Sequence, residues 1–453
     1  MVIITGWARS RWLSTRPPAG KRVAVSTPQT RRATFHDVFA VREFRALWAA
    51  YVLSALGDRL ALVALTLLIY DRTHSPLLAA VAFAAGTLPY VIGALFLSGI
   101  ADRFPRREVM IVCDLLRAVL VGTMLLPGMP LDPLIVLLYA VTAIEPPFDA
   151  ARAAILRDVV QGERYALAAA TLQSTFRLMI VIGAAAGGLV VAFVGARSAL
   201  GIDVATFVAS AALLRLGVRA RPAAAAAAGA SALLQLGAGI RVVFGDRALR
   251  TLLMLGWLAA CYEIPEGLAA PYAGKLGGGP VAAGLLIAAS QVGAAVATPV
   301  FTRRIGPLTR LRWMGPMAVC ACAALLVVAL RPDLPVSMAI FALSNTFAMY
   351  QIAANTAFVE RLPNERRAQA FGLANAGLVV GQGLAFMAAG AAAEVVPPST
   401  VIALSGGLGV LMACGLALRW RDMSPAVGRH SARHLGRQAS LTRQTPVHAA
   451  RSR

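Results

Sequence analysis

Twelve long apolar stretches, separated by short polar breaks, make up most of this 453-residue chain. A helix needs about 20 apolar residues to cross the hydrocarbon core of a bilayer. The twelve stretches are close to or above that length and are numbered here as spans 1 to 12: 46–70, 76–101, 108–127, 132–156, 165–194, 198–217, 250–273, 280–302, 312–330, 335–358, 368–393 and 399–420. The sequence therefore predicts an all-α membrane protein with twelve transmembrane helices.

The composition excludes the common soluble classes. Apolar residues make up 58% of the chain and charged residues only 14%, whereas a soluble domain carries about 25% charged residues. In a soluble protein, a net charge of +22 would indicate a nucleic-acid partner. Here the basic residues form short clusters between the spans, so they indicate membrane loops and no nucleic-acid partner.

The same basic clusters orient the chain, because Lys and Arg are enriched in cytoplasmic loops. The connections on the N-terminal side of the membrane, together with both termini, hold 36 of the 43 Lys and Arg residues. The opposite side holds four: Arg72, Arg197, Lys275 and Arg331. We expect a multi-pass protein of the cell membrane with both termini in the cytoplasm.

Three basic segments flank or connect the spans. Residues 1–45 carry nine positive charges and no recognisable cleavable signal peptide. Residues 218–249 place Leu236 and Ile240 at helical spacing with further apolar residues, which predicts an interfacial helix in a cytoplasmic linker. Residues 421–453 are rich in Arg, Ser, His and Gln, which predicts a disordered basic tail.

An internal repeat divides the membrane part into two halves, residues 46–217 and 250–420. Gly93-Ala94 reappears 200 residues later as Gly293-Ala294. A second pair of similar segments, in spans 4 and 10, is 203 residues apart. The repeat predicts two parallel six-helix halves in the same orientation.

Two tandem six-span halves joined by a cytoplasmic linker resemble the major facilitator superfamily. The segment Gly99-Ile100-Ala101-Asp102-Arg103-Phe104-Pro105-Arg106-Arg107 resembles its signature G-x-L-A-D-R-x-G-R-R, with Pro105 in place of the usual glycine. Gly183-Ala184-Ala185-Ala186-Gly187-Gly188 resembles its antiporter element G-P-x-x-G-G, with Ala184 in place of proline. Within the superfamily, Leu56-Gly57-Asp58 and Asp114-Leu115-Leu116-Arg117-Ala118 look similar to enterobactin exporters and related transmembrane secretion effector permeases.

These motifs supply two sets of candidate residues. Five residues of the first motif are candidates for a cytoplasmic gate: Gly99, Asp102, Arg103, Arg106 and Arg107. Such a gate works if its charges pair in only one of two conformations. The enrichment of basic residues in cytoplasmic loops would by itself explain the three arginines, but it would not explain Asp102. The antiporter-like helix element consists of three glycines: Gly183, Gly187 and Gly188.

Charged residues inside the spans are the strongest functional signal, because each costs about 2.5 to 3.5 kcal/mol at the bilayer centre. Seven are candidates for coupling or ion pairing: Asp58, Arg59, Glu145, Asp149, Arg177, Glu263 and Glu266. We interpret Asp114 and Arg117, one helical turn apart, as a simple structural pair. We interpret Asp203 as a solvated residue near the outer end of its span.

Glu145 is the first candidate for a proton-coupling site. Two prolines follow it directly and loosen the helix near the middle of the membrane. Desolvation there favours a neutral carboxyl group, as a residue that binds and releases a proton requires. Glu263 is also followed closely by a proline. The alternative is that these carboxylates only form ion pairs with Arg59 or Arg177.

Span 10 carries a polar face where it matches span 4 in the repeat. Five residues on this face and in span 7 are candidates for the substrate cavity: Tyr262, Asn345, Tyr350, Gln351 and Asn355. Together with nearby aromatic side chains they would suit an amphiphilic organic substrate. A polar face that joins neighbouring helices is the alternative.

The sequence lacks the G-x-x-x-x-G-K-[ST], H-E-x-x-H and G-x-S-x-G motifs of ATP use, zinc catalysis and hydrolysis. We therefore expect no enzymatic activity, no metal and no cofactor, in a monomeric protein. The sequence predicts a secondary active exporter of a small organic molecule, coupled to protons, that works by alternating access. An importer of an organic solute and a transport-inactive membrane sensor or scaffold are the alternatives.

Overall fold

The computed structural model describes residues 34–97, 99–222, 232–363 and 366–443, without the side chains of residues 102, 163, 232–236, 368 and 423–443. The described residues form α-helices and one 3-10 helix, and no strand is present among them. The prediction of an all-α fold is confirmed.

Nine helices lie in the described part of the N-terminal half: α1 (Phe35–Phe39), α2 (Arg42–Thr73), α3 (Pro76–Ala84), α4 (Leu88–Phe96), α5 (Ile100–Arg103), α6 (Arg106–Met124), α7 (Leu131–Ala143), α8 (Glu145–Val159) and α9 (Glu163–Gly217). The linker contributes α10 (Ala232–Gly245). The C-terminal half follows with α11 (Arg247–Trp257), α12 (Ala259–Tyr262), α13 (Ile264–Gly267), α14 (Ala269–Lys275), α15 (Gly279–Arg304), α16 (Pro307–Ala323), the 3-10 helix Ala324–Leu330, α17 (Leu334–Phe347), α18 (Tyr350–Arg361), α19 (Arg367–Ala393) and α20 (Pro398–Arg443).

Most of these helices are long and apolar enough to cross a membrane. Within the described ranges nine segments qualify, and the bent pair Arg247–Gly267 with Ala269–Lys275 makes a tenth. One of the nine, Arg164–Gly217, is 54 residues long and is interrupted at Gly195, where φ is 83° and ψ is 161°. With that segment divided in two, and with the 19 residues of α6, the arrangement is consistent with twelve spans.

Polar caps begin several helices at the ends of the bundle. The Leu78 amide donates to the Ser75 hydroxyl at 3.1 Å, and Pro76 occupies the first turn of α3, where its missing N–H costs nothing. Asp333 caps α17 in the same way and accepts from the Val336 amide at 3.2 Å. These caps place the chain reversals at the breaks that separate the apolar stretches of the sequence.

Spans 4 and 10 are broken near their middles. α7 ends at Ala143 and α8 begins at Glu145, while α17 ends at Phe347 and α18 begins at Tyr350. The two prolines after Glu145 explain the first break, because neither can donate a backbone N–H to the preceding turn. The breaks match in the repeat, so each half carries an irregular helix at the same place.

Two glycines of the repeat make the same helix contact. A Cβ atom on Gly93 would lie 2.0 Å from the Ala143 carbonyl oxygen, and one on Gly293 would lie 2.0 Å from the Ala342 carbonyl oxygen. A residue with a side chain would force these backbones apart. α4 therefore packs on α7 as α15 packs on α17, and the sequence repeat is also a repeat of helix packing.

The two halves meet closely at one end of the bundle, which we call the sealed end; it carries the connections at residues 74–75 and 394–397. A Cβ atom on Gly188 of α9 would lie 3.0 Å from the Gly284 Cα of α15. The Leu77 amide of α3 donates to Glu394, after α19, at 3.0 Å. The opposite end, which we call the basic end, carries the Arg-rich connections.

The linker and the tail were predicted as an interfacial helix and a disordered segment. α10 packs on α19, where a Cβ atom on Gly239 would lie 2.6 Å from the Gln369 carbonyl oxygen. Val243 is buried, while Ile240 and Phe244 are partly exposed, so one apolar face of α10 is available to lipid.

The tail differs from the prediction, because α20 continues as a helix through Arg443. A helix satisfies its own backbone hydrogen bonds and therefore needs no core; residues 1–33 and 444–453 lie outside the described residues.

Candidate substrate and coupling site

Two adjoining cavities lie inside the N-terminal half. The deep cavity extends toward the sealed end as far as Met124 and Asp203. The basic-side cavity reaches Tyr51 and Asp149. Three charged residues line both cavities: Asp58, Arg59 and Glu145. Three of the seven predicted coupling candidates therefore lie together, where the two cavities meet.

Arg117 is the buried cation beside these two cavities. The residue is 1% exposed, and its guanidinium forms an ion pair with Asp58 and donates to the Ser54 hydroxyl at 3.3 Å. It also lies 4.4 Å from the centre of the Phe207 ring. A buried arginine in this position compensates the charge of Asp58, which would otherwise be unstable in a membrane interior.

The predicted pair of Asp114 with Arg117 is wrong. Asp114 is fully buried and accepts from the hydroxyls of Ser210 at 2.6 Å and Ser54 at 3.4 Å. The two side chains are one turn apart on α6, but Arg117 pairs with Asp58 of α2. Residues of other helices decided the pairing, which spacing along one helix cannot reveal.

Glu145 is the first residue of α8, at the break in span 4. Asp58 and Asp149 repel its charge, whereas Arg117 and Arg59 attract it. The first turn of α8 accommodates the two prolines that follow, because its N–H groups have no helical partner. Glu145 thus lies at a helix start, in the field of two carboxylates and two arginines.

Asp149, a second predicted coupling residue, accepts hydrogen bonds from two side chains. Arg152 donates to it at 2.8 Å and 3.3 Å, and the Tyr90 hydroxyl donates at 3.1 Å. The Arg152 guanidinium lies 4.1 Å from the centre of the Tyr51 ring. Asp149 is therefore paired, and sequence analysis missed its partner Arg152, which belongs to the same helix.

Arg59 connects the two halves electrostatically. Its guanidinium lies 5.4 Å from the centre of the Phe176 ring and attracts the carboxylates of Glu145 in the N-terminal half and Glu266 in the C-terminal half. A Cβ atom on Gly183 would lie 2.5 Å from the Arg59 Cβ. The absence of a side chain at residue 183 therefore makes room for Arg59.

The other two glycines of the antiporter-like element also lie at helix contacts. A Cβ atom on Gly187 would lie 3.0 Å from Val63 of α2, and Gly188 contacts Gly284 of α15. Arg177, on the same helix, is exposed and lines neither cavity. The predicted pairing of Arg177 with Glu145 is not present, because Phe176 occupies the cavity side of α9 and the next residue is rotated by about 100°.

The carboxylates of the C-terminal half have amide partners. Gln382 of α19 donates to Glu263, and Gln291 of α15 donates to Glu266 at 2.7 Å. Both acids lie where span 7 is divided into short helices around Pro265. The sequence indicated the two acids but not the two glutamines. An uncharged amide inside a span costs less free energy than a charge, so it is a weaker sign of function.

The predicted substrate-cavity residues mainly join helices. Gln351 donates to the Tyr262 hydroxyl and to the Gly256 carbonyl oxygen at 3.3 Å, and the Tyr350 hydroxyl donates to the Leu255 carbonyl oxygen at 2.8 Å. Asn345 is buried and donates to a carbonyl oxygen of its own helix, and Asn355 is exposed. These contacts correspond to the alternative of a polar face that joins helices. None of the five residues lines the two cavities.

The predicted gate residues lie at the basic end of the N-terminal half. Arg106 pairs with Asp158 at 2.8 Å, and Arg107 pairs with Glu108 at 2.5 Å and donates to the Val218 carbonyl oxygen at 3.2 Å. Gly99 and Arg103 are exposed, and Asp102 belongs to α5 with its side chain outside the described residues. The contacts of Arg106 and Arg107 connect α6 to α8 and to the start of the linker.

Residues 47–363 match the family model of the Major Facilitator Superfamily. The chain belongs to the major facilitator superfamily. Its members are generally carriers without enzymatic activity, as the sequence predicted for this chain. The chain is therefore a multi-pass membrane protein of a transporter superfamily, and it spans less than half the length of the first of the curated relatives it matches.

Two curated relatives are similar over part of their length. The multidrug efflux pump Tap of Mycolicibacterium fortuitum is 25% identical over 327 residues, which is 66% of this chain and 75% of that protein. The uncharacterized MFS-type transporter YkuC of Bacillus subtilis is 29% identical over 184 residues, which is 40% of this chain and 42% of that protein.

Solved structures are similar in fold. The POT family transporter PepTSo superimposes with a TM-score of 0.64 at 13% identity, over 85% of this chain and 98% of that chain. The nucleoside transporter NupG gives 0.64 at 14% identity, over 83% and 99%. The agreement over nearly the whole of both neighbours confirms the predicted transporter fold.

Proposed function

We propose that this protein exports a small organic molecule in exchange for protons, by an alternating-access movement of its two halves relative to each other. The observation that carries the proposal is the group Asp58, Arg59 and Glu145, which lines both cavities inside the membrane part of the N-terminal half. Movement of the halves changes the access of these charges to each side of the membrane, so the two conformations favour different protonation patterns of the acids. A proton taken up on one side is then released on the other.

The cavity walls support an amphiphilic organic substrate. Apolar residues such as Leu62 and Leu65 form most of the deep cavity, while charges occur at a few fixed points. Pockets of this kind bind organic molecules through apolar contact and orient them with a few polar groups. The efflux pump Tap and the resemblance to enterobactin exporters favour outward transport.

Glu145 is the proposed coupling residue. Moving one charge across the membrane gains about 2.3 kcal/mol per 100 mV, so a driven exchanger needs an intramembrane group that changes its charge. Glu145 lies where the cavities meet, and no residue of its own helix turn neutralises it. Glu263 and then Asp58 are next in order.

The proposal is tested with the full chain in proteoliposomes, with ethidium as the probe. An imposed pH gradient should drive ethidium against its concentration gradient. Glu145→Gln should reduce this driven transport at least tenfold and retain exchange of labelled for unlabelled ethidium. Asp132→Asn, at an exposed acid of α7, is the matched control and should transport normally. Uphill transport by Glu145→Gln at the wild-type rate would remove Glu145 from coupling.

The same assay separates the alternatives. An importer accumulates the probe with the opposite sign of the pH gradient. A sensor or scaffold binds it without transport under any gradient. Either result would overturn export.

The plasma membrane is the proposed location, with the basic end in the cytoplasm. In a cysteine-free background, Arg303→Cys should react with an impermeant thiol reagent only from the cytoplasmic side, and Lys275→Cys only from outside. Reversed labelling would contradict this orientation.

A further inference from the structure

Asp203 of α9 is a buried acid that the proposed cycle does not use. Its side chain is 0% exposed and lines the deep cavity. One carboxyl oxygen, Oδ1, accepts from the Thr206 hydroxyl at 3.4 Å and packs against the backbone of Gly57, where a Cβ atom would lie 2.3 Å away. Within the described residues, the other oxygen, Oδ2, has no hydrogen-bond partner. The sequence-based interpretation of Asp203 as a solvated residue is therefore wrong.

Charged or titratable groups from three helices face Asp203 or share its cavity: Asp58 and Arg59 of α2, Asp114 and Arg117 of α6, and Glu145 of α8. Arg117 is the cation that acts on Asp203, and it forms its ion pair with Asp58. The hydroxyls of Ser210 and Ser54 stabilise a charge on Asp114. Arg117 thus pairs with Asp58 and leaves Asp114 and Asp203 without an ion pair; Asp114 accepts from two hydroxyls, whereas Oδ2 of Asp203 has no hydrogen-bond partner among the described residues.

A buried carboxylate with an unpartnered oxygen is far less stable than the neutral acid. We propose that Asp203 is a second proton-binding residue of this transporter, protonated on Oδ2 in the conformation described, and that it exchanges its proton with Asp58. The proposal rests on the proposed proton coupling and adds a site to it on the sealed side of Glu145.

The exchange conserves atoms and charge. The O–H bond on Asp203 Oδ2 breaks, and an O–H bond forms on the carboxylate of Asp58. The guanidinium of Arg117 gives up its ion pair with Asp58 and forms one with Asp203. Its position over the Phe207 ring, 4.4 Å from the ring centre, stays compatible with both partners because that ring belongs to the same helix as Asp203.

The path has two ends because Asp58 lines both cavities. Asp203 receives a proton through the deep cavity when the sealed end opens. Asp58 then releases it through the basic-side cavity, toward Asp149 and the basic end. This order gives the N-terminal half a proton route that passes beside Glu145.

Infrared spectroscopy of the purified full chain tests the protonation directly and needs no substrate. The wild-type protein at neutral pH should show a carboxylic acid C=O band that shifts when aspartate is ¹³C-labelled. Asp203→Asn should lack this band, and the exposed control Asp132→Asn should retain it. Asn has the shape of the neutral acid, so the variant should fold; Asp203→Ser serves as a second variant that also lacks the band. An unchanged band in a folded Asp203 variant would overturn the proposal.

Transport then tests the exchange with Asp58. In proteoliposomes with ethidium as the probe, Asp203→Asn should lower pH-driven transport at least tenfold and retain exchange of the probe. Wild-type driven transport by this variant would overturn the relay, even if the infrared band is lost. Failure of the wild-type protein to respond to any pH gradient would instead contradict the proposed function, and the infrared result would still decide the protonation of Asp203.

Discussion

The buried acids of the two halves are stabilised in different ways. In the N-terminal half, Asp58 pairs with Arg117 and Asp149 pairs with Arg152. In the C-terminal half, Glu263 and Glu266 receive hydrogen bonds from glutamine amides. An ion pair favours the charged form of a carboxylate, so protonation requires the arginine to change partner, whereas an amide can bind either form of the acid. The halves share a fold but differ in how strongly they fix charge.

This difference predicts that the two halves tolerate a change of charge on their acids to different degrees. Arginine pairs inside a membrane are costly to break, because each partner is left charged and unsolvated. Amide partners can reorient when a carboxyl group gains or loses a proton. We expect charge changes in the C-terminal half to affect transport more than folding, and charge changes in the N-terminal half to affect both.

The largest expected effect is the loss of Arg117. Arg117→Met leaves the half-buried Asp58 unpaired in the interior of the bundle, which should destabilise the protein by about 2 to 4 kcal/mol. Thermal unfolding in detergent can be followed with a thiol-reactive dye, because Cys113, Cys261 and Cys322 are buried in the folded protein. The double variant Asp58→Asn with Arg117→Met should recover most of the loss. Equal instability of the single and double variants would show that the ion pair is not the cause.

The next effect concerns packing, in which the halves are alike. Gly93→Ala and Gly293→Ala each place a Cβ atom 2.0 Å from a carbonyl oxygen of the neighbouring helix. Each should cost about 1 to 3 kcal/mol, because the helices must move apart. The same dye assay measures both. Gly99→Ala is the matched control, since a Cβ atom there meets nothing within 4 Å. A large difference between the two variants in the loss of stability would show that the two halves do not share the same helix packing.

Glu263→Gln should cost less than about 1 kcal/mol, because Gln382 can still form an amide hydrogen bond with the new side chain. Gradient-driven transport by this variant should nevertheless fall, since its charge no longer responds to protonation. Unfolding and proteoliposome transport are measured on the same preparation. A stability loss as large as that of Arg117→Met would remove the distinction between the halves.

The smallest effect is expected at Arg177, which is exposed on α9 and lines neither cavity. Arg177→Gln should change stability by no more than about 0.5 kcal/mol and leave transport unchanged. A strong transport defect would show that Arg177 joins the site in another conformation.

The fold was largely predictable from the sequence because membrane helices follow simple rules of length and hydropathy. The repeat of Gly93 and Gly293 also predicted the two-half architecture. The length of α20 was not predictable from the charge of the tail, because a helix that continues from a span needs no core of its own.

The site was only partly predictable. The cost of charge in a membrane identified Asp58, Arg59 and Glu145, which lie together. Which arginine pairs with which acid depends on helix packing across the half, so the pair of Asp114 with Arg117 was predicted incorrectly, while a coupling role of Arg177 stays a prediction. Asp203 was missed because its position near the end of a span resembles that of a solvated residue, while the bundle in fact buries it.

The matching contacts of Gly93 and Gly293 bear on the ancestry of this protein. Duplication of a gene for a six-helix unit passes the same interhelical contact to both copies. At the 203-residue offset of spans 4 and 10, however, Glu145 corresponds to Ala348 and Asp149 to Ile352. The interhelical contact is therefore common to the two halves, whereas the acids at residues 145 and 149 belong to one half alone.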